Sequence, residues 1–142
     1  MINDLFKILS VISIISGAFT GILALVPFLS FPIICIIMFA FAPFIIIYFK
    51  HLKLIENIEI DKGILYGGIS GFMGFIGFSV IFFPFAFVID LIFKTQTFMW
   101  VNVVFKNFTF LIGMVILAAL LSALLNMFTG FLTAYLYQYL KK

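Results

Sequence analysis

The sequence predicts an all-α integral membrane protein. Four transmembrane helices are expected, forming two hairpins with both termini on the cytoplasmic side. Three observations carry that expectation. Hydrophobic residues make up 66% of the 142-residue chain and charged residues 9%, against roughly 45–50% and about 25% in soluble globular domains. In a domain this small, surface grows too fast relative to volume for a water-soluble fold to hide that much apolar area. Four apolar stretches reach the roughly 20 residues needed to cross a hydrocarbon core about 30 Å thick. Finally, the lysines gather in alternating connections. The whole of 1–142 reads as a single transmembrane domain.

The first span is expected over about 8–28. The preceding MINDLFK carries one Lys and one Asp. The apolar run behind it exceeds the roughly 7–15 residues of a secretory leader and lacks a small-x-small cleavage site, so it reads as a retained span. The second span, about 31–49, follows a tight corner, PFLSFP. There Pro27 is expected to close one helix, while Ser30 caps the next and Pro32 lies in its first turn. Pro43 should kink this span, because it lacks an N–H and its ring clashes with the preceding turn. The third span is expected over about 63–89 with Asp61 as its cap, and the fourth over about 108–136.

Orientation follows from the basic residues. Lys7, Lys50, Lys53, Lys62, Lys141 and Lys142 fall on one side of a four-span arrangement, and Lys94 and Lys106 on the other. The lysine-rich side is the expected cytoplasmic one. Trp100 in the outer connection and Tyr135, Tyr137 and Tyr139 near the inner end suit the membrane–water interfaces. The inner loop KHLKLIENIEIDK is expected to lie along the headgroups. The outer loop KTQTFMWVNVVFKNF is expected to form a short interfacial helix. Asn107-Phe108-Thr109 matches a glycosylation acceptor, but it abuts the membrane and carries no weight here.

The stretch GILYGGISGFMGFIGF explains how such helices would associate. In lipid, apolar burial gives helices little reason to meet, and close backbone approach through small residues takes its place. Gly67, Ser70, Gly71 and Gly74 fall at three- and four-residue spacing on the third span. Ser10, Ser13, Gly17, Gly21 and Ala24 do so on the first, and Ala119, Ser122, Ala123, Asn126, Gly130 and Thr133 on the fourth. A seam among spans one, three and four is expected, with the kinked second span more peripheral. A faint parallel duplication accompanies it: Ile12-Ser13, Gly17 and Pro27-Phe28 recur 57 positions later as Ile69-Ser70, Gly74 and Pro84-Phe85.

Candidates for chemistry are few. Asp90 is the acid nearest a span interior, yet a helix rising 1.5 Å per residue from Gly63 would carry it roughly 10 Å past the far edge. Pairing with Lys94 four residues on is expected there. Asn126 lies at mid-depth of the fourth span, and structural hydrogen bonding outweighs ligand contact as its role. His51 has neither a nucleophile nor a carboxylate arranged beside it, and reads as a solvated residue. Cys35 stands alone, so no disulfide framework exists. The lysines, unaccompanied by any Arg, read as an orientation signal and not as a nucleic-acid patch.

No cofactor, metal site or catalytic residue is assigned. The expected function is a non-enzymatic multi-pass protein of a bacterial or archaeal plasma membrane, acting as an accessory, scaffold or assembly subunit. Helix packing would be carried by Gly17, Gly21, Gly67, Ser70, Gly71, Gly74, Ala119, Ala123, Asn126 and Gly130. Its partners would be membrane lipid, other membrane proteins or further copies of itself. The alternative is a small solute or ion channel or transporter with Asp90 and Asn126 along its path.

Overall fold

The computed structural model describes residues 2–55, 58–94 and 97–140. Every regular element among them is helical: α1 (Ile2–Leu23), α2 (Pro27–Cys35), a π-helical turn (Ile36–Ala40), α3 (Phe41–His51), α4 (Ile60–Phe93), α5 (Met99–Phe105) and α6 (Phe108–Leu140). The segment from α2 through α3 runs on as one rod. The described residues thus include four helical rods long and apolar enough to cross a membrane.

The corner between the first two rods differs from expectation. Val26 is extended at the N-cap and Pro27 opens the second rod, because its fixed φ and missing N–H suit the first helical position. Ser30 does not cap this helix. Its hydroxyl donates to the Ala24 carbonyl at 2.5 Å, satisfying an acceptor where the chain turns, while the Val26 carbonyl already accepts the Leu29 and Ser30 N–H groups.

The third rod also starts early, at Ile60 behind Glu59. Asp61 lies inside the first turn, where its charge still complements the helix dipole. Glu59 pairs with Lys62 at 3.0 Å. Asn107 is the N-cap of α6, its Oδ1 accepting the Phe110 N–H at 3.2 Å.

α4 is the central rod, with α1 and α6 on separate flanks. A methyl placed on Gly17 would run into the backbone of Gly74, and one on Gly77 into that of Ile14. On the other flank a methyl on Gly67 would meet the Asn126 backbone, and one on Gly130 the backbone of Gly63. The single glycine stripe expected on this helix is therefore two faces. Gly63, Gly67 and Gly71 serve α6, while Gly74 and Gly77 serve α1. Glycine spacing alone carries both patterns, because residues three and four apart drift around the helix over about four turns.

The second rod is not peripheral. Ile37, Ala42, Ile46 and Phe49 are fully buried, and the Phe41 ring lies where a Gly74 side chain would stand. The 57-residue similarity survives only at the α1–α4 crossing. There Gly17 meets Gly74, and Ser13 and Ser70 are both fully buried. Pro27-Phe28 opens a helix whereas Pro84-Phe85 lies within α4, so the two hairpins are not equivalent.

Lys50 donates to the Tyr137 hydroxyl, and the Gln138 side chain donates to the Ile58 carbonyl at 3.1 Å. These contacts, with the edge-on Phe6 and Tyr66 rings, bring Lys7, Lys50, Lys53 and Lys62 to one end of the bundle. Lys94 and Lys106 are at the other. Lys141 and Lys142 lie outside the described residues. Ile55 and Ile58 are buried, so the described parts of the 50–62 connection fold onto the basic end.

Candidate functional site

Pro43 has no N–H to return to the preceding turn, and the chain answers with the π-helical turn Ile36–Ala40 just before it. Such a break frees backbone groups, and an unpaired buried backbone group costs about as much as a lost hydrogen bond. Asn126 on α6 takes them up. Its Oδ1 accepts the Ala42 N–H at 2.8 Å. Its Nδ2, with two hydrogens to give, lies 3.0 Å from the carbonyl oxygens of Ile37 and Met38 and 2.9 Å from that of Ser122. The Ala42 contact fixes which way the amide faces, since only the oxygen can accept.

Ser122, one turn before Asn126, extends the node. Its hydroxyl lies 3.1 Å from the Gly71 carbonyl and 3.3 Å from that of Ile37. Gly71 makes room: a methyl there would lie 2.7 Å from both the Asn126 Cβ and the Ser122 carbonyl oxygen. Three rods are thus tied at one level by two side chains, and both of these are fully buried.

Among the other packing residues, Gly17, Gly21 and Gly74 lie in the α1–α4 crossing, and Gly67, Gly71 and Gly130 in the α4–α6 crossing. Ser70 is buried and donates to the Gly67 carbonyl at 3.1 Å. Ala119 is fully buried. Ala123 is half-buried beside a shallow apolar groove with Gly68 and Met127. Gly63, Gly77 and Ala134 join these crossings as well, beyond the residues the sequence singles out. Gly63 could have been found by extending the Gly67 and Gly71 spacing one turn back.

Asp90 lies elsewhere. It is buried near the end of α4, where its carboxylate accepts the Phe98 N–H at 3.4 Å and the Asn102 side-chain amide. The acid thereby fastens α5 to α4, and Trp100 stacks over Phe82 and edge-on to Phe83. Lys94 ends the helix in the left-handed conformation, its N–H returning to the Asp90 carbonyl. Gly71, level with Asn126, precedes Asp90 by 19 residues, about 28 Å along a helix. The two residues of the alternative pathway are not brought together.

Among the described residues no three His, Cys, Asp or Glu side chains gather where they could hold a metal ion. No protein-family model, curated protein or solved structure matches this chain.

Proposed function

We propose that the chain is a multi-pass membrane protein acting as an accessory, scaffold or assembly subunit, without catalysis, its lysine-rich end and both termini facing the cytoplasm. The observation that carries this reading is the closed polar node. Asn126 is fully buried, and its amide oxygen and nitrogen are both engaged with backbone. A permeation path needs polar atoms left over for a solute; here the backbone takes them. What remains for function is the outer apolar surface, to which Phe28, Phe31 and Phe93 contribute large exposed rings.

The test is affinity isolation from native membranes. A stoichiometric companion, whose membrane level falls when this chain is deleted, supports the accessory role. Isolation without a companion, joined to ion flux in proteoliposomes, supports a channel or transporter instead. That second reading has one feature in its favour: the π-helical turn beside Pro43 is a built-in weak point facing the Asn126 node, as in broken helices that line transport sites.

A further inference from the structure

α1 and α3 do not close on each other. Between them runs an apolar groove of about 550 Å³, walled by Ile12, Ser16 and Thr20 on α1 and by Phe41, Ile45 and Tyr48 on α3. Its few hydroxyls add little polarity; that of Thr20 already donates to the Gly17 carbonyl at 2.7 Å.

Gly74 sets the heights, since Gly17 and the Phe41 ring both lie against it. A 30 Å core counted from Gly63 has its midplane close to Gly74. From that level toward the basic end, Lys7 lies ten residues from Gly17 and His51 ten residues from Phe41. Both are therefore about 15 Å out, half of a 30 Å core, one on each wall. Lys53 follows in the left-handed conformation, and Lys7, His51 and Lys53 are all exposed. The nearby acid Asp4 already has an interaction of its own. The groove runs from Ile12 to Thr20 on one wall and from Ile36 to Tyr48 on the other, about 12 and about 18 Å, so it is too short for a crossing helix, and its Ile12 and Tyr48 end lies toward Lys7 and His51.

We propose that this groove holds one acyl chain of an anionic phospholipid from the leaflet at the basic end, with its phosphate among Lys7, His51 and Lys53. The inference rests on the membrane reading above. Each lysine near a headgroup is worth about 1 kcal/mol toward an anionic lipid, so two give a preference on the order of tenfold or more.

The full chain in mixed micelles of phosphatidylglycerol and phosphatidylcholine, observed by native mass spectrometry, provides the test. One retained phosphatidylglycerol per chain is expected, with the preference largely lost in K7Q/K53Q and the lipid lost in S16F. Both lysines are exposed, so K7Q/K53Q stands even if S16F fails to fold. Equal retention of the two lipids, an unchanged K7Q/K53Q preference, or a lipid-free dimer overturns the proposal. Alkaline washing of native membranes separates the failures: a chain released by the wash fails as a membrane protein, whereas one retained without lipid preference fails only here.

Discussion

The side-chain oxygen of Asn126 lies 2.8 Å from the backbone nitrogen of Ala42, 84 residues away in the chain. The same amide donates to the Ile37 and Met38 carbonyls, so one side chain repairs a break in another helix. Pro43 makes the break and Asn126 makes it tolerable.

Asn126→Leu should therefore do more than remove an average interhelical hydrogen bond, worth about 0.6 kcal/mol. It strands the Ala42 donor and the Met38 acceptor and leaves the Ile37 carbonyl only the Ser122 hydroxyl, and a loss of about 2–4 kcal/mol is expected. Asn126→Asp should be worse at neutral pH, since a carboxylate offers no donor to those carbonyls. Thermal unfolding in detergent checks both. A loss within the scatter of ordinary surface substitutions would contradict the node.

The glycines divide into two groups with opposite expectations. Gly17→Ala and Gly67→Ala drive a methyl into backbone on a neighbouring rod and should lower the melting temperature. Gly113 meets nothing within 4 Å of an added Cβ, so Gly113→Ala should be neutral or gain up to about 1 kcal/mol from helix propensity. Uniform effects at the three positions would count against close backbone approach as the packing principle.

Asp90 supplies a third expectation. Asp90→Leu releases the Phe98 and Asn102 contacts that hold α5, so emission from Trp100, the sole tryptophan, should shift to the red. Asp90→Asn keeps an acceptor for the Phe98 N–H and should shift it less. Neither should alter ion flux in proteoliposomes, and a clear change in flux would favour the permeation reading.

Much of the architecture was legible because composition and run length decide it. Four apolar runs became four rods, and small residues at helical spacing marked the faces that meet. Three things were not legible. Ser30 and Asp61 have capping chemistry, but Val26 and Glu59 stand at the caps, because a cap is decided by where the preceding chain ends its turn. The split of the α4 glycines into two faces depends on which neighbours exist on each side. The burial of the second rod follows from Asn126 reaching its broken turn, a long-range pairing that leaves no local trace. Pro43 marked the bend, and a lone Asn inside an apolar run was the available sign that something across from it needed both a donor and an acceptor.

The central claim is that these four rods cross a bilayer with the lysine-rich end on one side. Single cysteines at Lys53 and Lys94, in a Cys35→Ser background, can be labelled with a membrane-impermeant maleimide in intact cells. Labelling at position 94 from outside, with position 53 reacting only after the cells are opened, is the predicted result. Equal labelling of both positions from outside would contradict the account.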